Sequence, residues 1–446
     1  MYILMFKQFL RSRTSRLGLL LVLILGAISI MIGKQFLVKQ DKISEQVVEQ
    51  QLEHIERNVE FHSEDLGLLL YYLKFSLVNE GNHLAGLSIG QRDVNPSVLN
   101  VNMLTLEGQK YDTDLVNPSQ LLYGNLDLSF LFVYVFPLIV IAFTYNLRSE
   151  EEESGTWRLV SVMSKSRLAF LLKKLSVRLI LLVSLQSLIF VLASFILEIP
   201  WGFNTIAFYL ISLLYVVFWF ALSFWIVSLK RNSNFNALSL LSIWLVLVVM
   251  LPAMLNNLMT AKYPVPEAFT TIIKQRDAYH KKWDTEKRPT MEKFYAHYPE
   301  FKTYGYPPEQ GFSWLWYYAM QDAGDKESRD GSRKMRDKIL QRETSSKFWA
   351  YFFPSLHTQL SLNELAESNL HNHLEFLSYA EEFHEGIRLY FYPLIFSEEH
   401  ADKVDWDRFQ PTFLSFSQGI DWLRSLLPLI ISIFLFLGLA LFNMRG

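Results

Sequence analysis

The 446-residue sequence contains no cysteine. This absence excludes a disulfide framework, thiolate metal sites and cysteine nucleophiles, and it gives no information on the redox compartment. The sequence also lacks a strong charge imbalance, because 42 basic and 44 acidic residues give a formal net charge of −2. Charge therefore provides no argument for nucleic acid as a partner, and we expect none.

Two catalytic patterns are missing as well. No G-x-x-x-x-G-K-[ST] loop is present, so the chain lacks the usual cradle for nucleotide phosphates. No H-E-x-x-H zinc motif occurs either, and we expect neither a resident cofactor nor catalysis by this chain. The chain has no internal repeat and no low-complexity tract.

Long apolar stretches are abundant, and each is able to cross a bilayer, since about 20 helical residues cover the hydrocarbon layer. They predict an all-α membrane protein with six transmembrane helices. The first stretch follows a basic start, as in a signal peptide, but no small-x-small cleavage site follows it, so we expect a retained anchor. The predicted spans are residues 17–38, 127–147, 175–197, 206–229, 235–258 and 423–444.

Basic residues predict the orientation, because short loops rich in Lys and Arg stay in the cytoplasm. The first 16 residues carry four basic residues and no acidic one, so the N-terminus is expected inside. Six spans then place the C-terminus and two basic loops on the same side, at residues 148–174 and 230–231. The long polar segments 39–126 and 259–421 are consequently expected outside the membrane.

The two polar segments are predicted to fold together as one mainly helical extracytoplasmic domain. Apolar residues of the first segment recur at helical spacing, which extends the first span as a helix, whereas residues 81–118 favour loops or short extended pieces. The second segment shows no period-2 alternation, and a long helix is predicted over 361–392. The helix-spaced residues of the first segment are Val48, Leu52, Ile55 and Val59.

The connection between the second and third spans is unusually charged. Four glutamates, residues 150–153, precede the turn-forming sequence Ser-Gly-Thr and the amphipathic start WRLVSVM. A second polar break, SKSR, precedes the third span. A solvated acidic turn is the simpler explanation, and the alternative is a short, rigid, charged helix over residues 148–167 on the cytoplasmic face.

At these residues the sequence resembles the permease subunit of type 2 ABC transporters. That family carries a cytoplasmic connection with two glutamates and Gly-Thr, followed by an apolar helix, a basic break and the next span. Glu152 departs from the pattern, because many relatives have arginine there. The matching positions here are Glu151, Glu153, Gly155, Thr156, Lys165 and Arg167.

The N-terminus fits the same resemblance. Residues 1–16 are similar to an amphipathic helix that lies on the cytoplasmic membrane surface in these permeases, with Ile3, Phe6 and Leu10 on one face. Arg11 lies with the basic residues on the other face. An ordinary basic flank of the first span is the alternative.

The resemblance extends over nearly the whole chain. NPSQLLYGNLDLSF from Asn117 and FPSLHTQLSLNELAESNLHNHLEFL from Phe353 are similar to a subfamily with a large extracytoplasmic insertion. It implies a protein of the bacterial inner membrane, driven by a partner ATPase that holds ATP and Mg²⁺. It also implies a second permease chain, identical or a sister, and allows a periplasmic partner; the substrate is not defined.

Within this resemblance, residues 148–167 are expected to dock on the ATPase. Trp157 is the expected buried anchor and Arg158 an adjacent basic contact. The alternatives are a sensor or receptor with an extracytoplasmic domain and, less favoured, a membrane-bound hydrolase. His371 and Glu375 are spaced to share a metal ion, although a charged solvent face is the preferred explanation and no metal site is assigned. Pro137, Pro252 and Pro428 are expected as kinks within spans or as hinges.

Overall fold

A computed structural model describes residues 2–110, 125–163, 166–266, 281–417 and 419–445. It contains six helices that are long and apolar enough to cross a membrane, and each predicted span overlaps one of them. The third helix begins earlier than the predicted boundary, because Ser166 caps it by accepting from the Ala169 N–H. The six helices are Arg13–His62, Leu128–Glu153, Arg167–Ile196, Phe203–Ser228, Ser233–Lys262 and Trp422–Met444. They are called the first to sixth spans below.

The fourth span lies at the centre of the bundle. It is mostly buried, as is the second, whereas most of the fifth and sixth spans is exposed. Tyr215 joins three elements, since its hydroxyl donates to the Val133 carbonyl at 3.1 Å and lies 3.0 Å from Ser355 Oγ. The exposed apolar faces of the outer helices suit a lipid environment.

Two proline positions inside spans coincide with widened helical turns. A π-helical turn, Leu131–Val135, precedes Pro137 in the second span, and another, Leu245–Met250, precedes Pro252 in the fifth. Proline has no N–H and its ring clashes with the preceding turn. The wider turn accommodates both effects inside the helix.

The N-terminal helix is shorter than predicted. It covers Tyr2–Arg11 and ends at Ser12, whose side chain accepts from the Ser15 N–H and begins the first span. Residues 13–16 therefore belong to the first span rather than to an interface helix. The first span has 50 residues, or about 75 Å of helix, so it continues beyond a bilayer into the polar segment, as its periodicity predicted.

A polar domain, formed by the described parts of residues 39–126 and 259–421, lies at one end of the bundle. It contains a three-stranded sheet of β1 (Phe75–Asn79), β2 (Val98–Val101) and β3 (Thr412–Leu414). β1 is central, antiparallel to β2 with Leu77 opposite Leu99, and parallel to β3 with Val78 opposite Phe413. The prediction of a purely helical second segment is wrong here. The strand of this segment, β3, has only three residues, and period-2 alternation is recognised only over about four residues or more.

The sheet joins the two polar segments, because β1 comes from the first and β3 from the second. One hydrophobic core also contains residues of both, including Phe75, Met103, Phe294 and Phe391. The two polar segments therefore share one sheet and one hydrophobic core. The helices of this domain outside the first span are Leu66–Tyr72, Leu106–Lys110, Lys287–His297, Trp314–Ala350, Pro354–Leu365 and Leu370–Phe396, with 3-10 turns at His83–Gly86, Pro299–Tyr304, Ala401–Lys403 and Trp406–Arg408.

The helix predicted over 361–392 is two helices. Pro354–Leu365 ends before Glu367, which has a left-handed backbone (φ 53°), and Leu370–Phe396 begins after Asn369. Asn369 accepts from the Asn372 N–H and so caps the second helix. An apolar stripe is present on that second helix, with Phe376, Ala380 and Ile387 buried in the core.

The polar domain is attached to the bundle by close packing and polar contacts. Gly33 of the first span faces Gly86, and a Cβ on Gly33 would lie 2.1 Å from the Gly86 carbonyl oxygen. The His83 Nδ1 donates to the Leu197 carbonyl at 2.8 Å. We call this the domain end of the bundle, and the opposite end, with residues 2–12, 145–163 and 229–232, the loop end.

Candidate functional site

The connection to the third span consists of two short helices at the loop end, and the first of them forms the end of the second span. They cover Ser149–Glu153 and Trp157–Met163, and the turn 154–156 separates them. Gly155 has φ +75°, and no atom lies within 4 Å of a Cβ placed there. The single helix predicted over 148–167 is therefore wrong. A left-handed turn, which glycine adopts without strain, interrupts the helix at residues 154–156. We call the described residues 149–163 the coupling segment.

Polar contacts within the turn hold its shape. The Thr156 hydroxyl donates to the Glu151 carboxylate, and Ser154 Oγ lies 2.9 Å from Thr156 Oγ1. Side-chain oxygens of Ser and Thr often satisfy backbone and side-chain partners in turns of this kind. Glu151 and Thr156, which the sequence placed in the docking surface, are thus in direct contact with each other.

Glu151 also ties the coupling segment to the third span. Lys174 Nζ lies 3.0 Å from Glu151 Oε1 and 3.1 Å from Glu150 Oε2. Arg178, one turn further along the third span, is buried and donates to the Phe143 carbonyl of the second span. One lysine and one arginine therefore connect the coupling segment, the second span and the third span.

Glu153 makes a separate connection to the fifth span. Its Oε1 accepts from the Ser233 N–H at 2.9 Å, at the first residue of that span. Ser149 Oγ lies 2.7 Å from Ser233 Oγ. The first N–H groups of a helix have no partner inside the helix, so a glutamate from another element stabilises this helix end.

The Trp157 side chain packs against other residues of the same chain. Its ring is half-buried against the bundle core, and the Arg148 guanidinium lies 5.2 Å from the ring centre. Arg148 also donates through two nitrogens to Glu152 Oε1, at 2.9 and 2.6 Å. Trp157 thus has an internal packing role that the sequence did not indicate.

Three apolar residues of the same short helix are exposed instead. Leu159 is 64% exposed, and Val162 and Met163 are each 84% exposed. Their spacing of i, i+3 and i+4 puts them on one face of the helix. We call these three residues the apolar patch. This patch was not predicted from the sequence, although the spacing of apolar residues within WRLVSVM indicates it.

The basic residues predicted for this surface are described only in part. Arg158 is exposed near the start of the Trp157–Met163 helix, and Arg167 is exposed at the first residue of the third span. Lys165 lies outside the described residues. Exposed basic and apolar side chains therefore both occur in this part of the loop end.

The N-terminal helix packs beside the coupling segment. Ile3 and Phe6 are exposed and Leu10 is half-buried, while Arg11 is exposed. Phe9, which the sequence analysis did not single out, packs edge-on against Phe143 with ring centres 4.9 Å apart. The Arg178 guanidinium lies 5.6 Å from the Phe9 ring. Beside this contact, a cavity of about 390 Å³ lies between the helix and the spans. Its polar lining includes Gln8, Glu150, Glu151, Lys174 and Arg178.

One pattern that the sequence analysis passed over is G-x-S-x-G at residues 86–90, which is typical of hydrolase nucleophiles. Ser88 is fully buried, and its hydroxyl donates to Asn363 Oδ1 at 2.7 Å. A nucleophilic serine must be accessible and activated by a base. Ser88 meets neither condition, since it is covered and paired with a side-chain amide.

The His371–Glu375 pair considered for a metal is an ordinary i, i+4 helical contact. His371 Nε2 lies 3.1 Å from Glu375 Oε1 on the half-exposed face of Leu370–Phe396. Among the described residues, no group of three or more His, Asp and Glu side chains is arranged to hold a metal ion.

The comparisons with known proteins concern the polar domain. Residues 269–413 match a family model described as a domain of unknown function, DUF3526. No curated protein and no solved structure matches the chain. The matched region includes the Trp314–Ala350 and Leu370–Phe396 helices and β3, so this part of the polar domain is similar to a recognised domain family of undefined function.

Proposed function

We propose that the chain is the permease subunit of a type 2 ABC transporter in the bacterial inner membrane, most simply an exporter. Its loop end faces the cytoplasm, and its polar domain is extracytoplasmic. ATP hydrolysis occurs on a separate ATPase subunit, and two permease chains form the complete membrane unit. The observation that carries this proposal is a coupling segment that is tied to three spans and presents an apolar patch to solvent.

The orientation is supported by basic residues at the loop end. Lys7 and Arg11 of the N-terminal helix, Arg158, and the Lys230–Arg231 pair all belong to short elements at this end. Positive charge retains such short segments in the cytoplasm. The exposed Ile3 and Phe6 give the N-terminal helix an apolar side for the membrane surface.

The contacts of Glu151 and Glu153 support mechanical coupling. Glu151 is bonded to Lys174 of the third span, and Glu153 to Ser233 of the fifth. A push on the segment is therefore transmitted to both helices, whereas a slack loop would absorb it. In this proposal the two glutamates transmit movement rather than serving as free docking charges.

The apolar patch supports docking of a protein on the coupling segment. Surface residues exposed to this degree and clustered on one short helix are typical of interaction sites, and neighbouring arginines are frequent at interfaces. Leu159, Val162 and Met163 are consequently the proposed contact residues, with Arg158 and Arg167 at the rim.

The test is purification of the full-length chain from its native membrane, followed by mass spectrometry of co-purifying proteins. We expect a P-loop ATPase in near-equal amount. The variant Leu159→Glu/Val162→Glu/Met163→Glu should lose the ATPase, because charge on the patch opposes apolar contact. Phe61→Glu, at a 71% exposed position in the polar-domain part of the first span, is the matched control and should retain it.

A second variant separates docking from coupling. Glu151→Gln leaves the apolar patch intact and weakens the contact with Lys174, so we expect the ATPase to remain bound while its stimulation by the permease falls. Purification of the unaltered chain without any ATPase would overturn the proposal. That outcome would favour a sensor that uses the polar domain as its input.

A further inference from the structure

The polar domain contains a cavity of about 360 Å³ that the proposed function does not use. Its walls come from three helices: Leu106–Lys110, Trp314–Ala350 and Leu370–Phe396. The first helix belongs to one polar segment and the other two to the second. This volume falls in the range of small-molecule sites, about 300–1,000 Å³.

One part of the cavity wall is apolar. Leucine, methionine and isoleucine side chains from all three helices line it, and several are nearly inaccessible to solvent. An apolar surface of this kind favours a hydrocarbon group over water. The apolar lining residues are Leu106, Met335, Ile339, Leu370, Leu374 and Leu377.

The acidic residues in the cavity are already engaged. Lys110 Nζ lies 2.9 Å from Glu107 Oε1 and 2.6 Å from Glu381 Oε1. Arg388 lies 2.8 Å from Asp325, and the Tyr298 hydroxyl donates to Glu385 at 2.5 Å. These four carboxylates therefore have cationic or hydrogen-bonding partners inside the domain.

Three arginines on the rim differ from these acids. Arg329, Arg333 and Arg336 line the cavity from one face of the Trp314–Ala350 helix, at i, i+4 and i+7. Within the part of the chain that the structure describes, none of the three forms an ion pair or a hydrogen bond. Lys110, Arg388 and these three arginines exceed the four carboxylates by one positive charge.

His373 adds a polar group on the wall. Its Nδ1 is buried without a hydrogen-bonding partner, and burial lowers the pKa of His373 to about 4. The neutral imidazole is therefore available to a ligand as a donor or an acceptor near neutral pH.

We propose that this cavity binds an amphipathic anion, with its hydrocarbon chain against the Leu/Met/Ile wall and its anionic head group at Arg329, Arg333 and Arg336. Arginine binds carboxylate and phosphate through paired hydrogen bonds, so both head groups belong to this class. The proposal concerns the polar domain alone and does not depend on coupling to an ATPase.

The test is photolabelling of the full-length chain in nanodiscs of zwitterionic lipid. The probe is decanoic acid with a diazirine in its chain, and labelled peptides are located by mass spectrometry. We expect saturable labelling of the cavity-lining parts of Trp314–Ala350 and Leu370–Phe396. Decanoate or decyl phosphate should compete with it, and decanol should not. The stronger of the two competitors identifies the preferred head group.

The decisive variant is Arg329→Gln/Arg333→Gln/Arg336→Gln. It should weaken competition by decanoate about tenfold or more, since charge-assisted hydrogen bonds are lost. Lys334→Gln, at the neighbouring exposed position on the same helix, should leave competition unchanged. Circular dichroism verifies that each variant folds.

Three results would overturn the proposal. Labelling confined to the membrane spans would show that the probe only partitions into lipid. Equal competition by decanol would show that charge is not recognised. Unchanged competition in the folded triple variant would remove the arginines from the site.

Discussion

The loop end and the polar domain each place a basic residue between two carboxylates, and they differ in burial. Lys174, 12% exposed, lies between Glu150 and Glu151, which are 50% and 18% exposed. Arg388, 2% exposed, lies between Asp322 and Asp325, which are 3% and 11% exposed. The same charge arrangement is therefore partly exposed to solvent at the loop end and buried in the polar domain.

The difference in burial assigns the two clusters different roles. A solvent-screened pair adds little to stability, so the contacts of Lys174 chiefly define where the coupling segment lies. A buried charge that loses its partner is costly, so loss of Arg388 is expected to destabilise the polar domain strongly. Burial likewise raises the pKa of Asp325 to about 6, against the lowering effect of Arg388.

The largest expected effect is from Arg388→Met. Removing the guanidinium leaves Asp325 buried without its cation and should cost the polar domain about 3–5 kcal/mol of unfolding free energy. Hydrogen exchange of core amides in the full-length chain measures this loss. Arg388→Met/Asp325→Leu should recover part of it, because no lone charge at Asp325 remains. Exchange in Arg388→Met equal to that of the unaltered chain would contradict the assignment.

A smaller effect is expected on the pH dependence of the polar domain. Burial lowers the pKa of His373 from its ordinary value of 6.5 to about 4. The unfolded chain then binds a proton first, so stability is fully present above pH 6.5 and is lost as the pH falls toward 4. The raised pKa of Asp325 acts in the opposite direction, adding stability as the pH falls from about 6 toward 4.

His373→Gln removes the first of these effects and leaves the second. Between pH 7 and pH 5 it should reduce the loss of stability by about 1–2 kcal/mol, measured as thermal unfolding midpoints of the full-length chain at both pH values. The Asp325 contribution is common to both proteins and cancels in the comparison. Parallel pH profiles for the two proteins would show that His373 is not a buried neutral imidazole.

The smallest expected effect on stability is from Lys174→Met. Loss of a partly exposed ion pair should change unfolding free energy by less than about 1 kcal/mol, while amides of residues 149–163 should exchange faster because the segment loses its link to the third span. Lys173→Met is the matched control, one residue earlier on the same helix. Unaltered exchange of the segment in Lys174→Met would mean that other contacts alone hold it in place.

The six spans could be predicted from local composition. Long apolar runs define membrane-spanning helices almost independently of context, because every backbone polar group is satisfied within the helix. The turn at residues 154–156 could also be predicted from local sequence, since glycine favours a left-handed position. The continuous helix over 148–167 failed because helical spacing on each side of that glycine does not reveal a break between them.

The roles of individual site residues depended on distant partners. Glu151 and Glu153 are equivalent in the sequence, as two members of one run of glutamates. In the structure Glu151 contacts Lys174 and Glu153 contacts Ser233. Trp157 was predicted as a buried anchor for the ATPase, and its ring packs within the chain with the Arg148 guanidinium 5.2 Å from the ring centre. β1 gave no strand signal in the sequence, because every residue of it is buried and two covered faces remove the alternation that marks a strand.

The sequence by itself determined the six apolar helices, the continuation of the first span and the basic character of the loop end, since these follow from local composition and periodicity. Tertiary structure alone decided the three-stranded sheet and the arginine-rimmed cavity. Each of these depends on residues far apart in the chain meeting in space, such as Val78 with Phe413 or Lys110 with Glu381. Pairing of this kind is set by packing and burial, which a linear pattern does not encode.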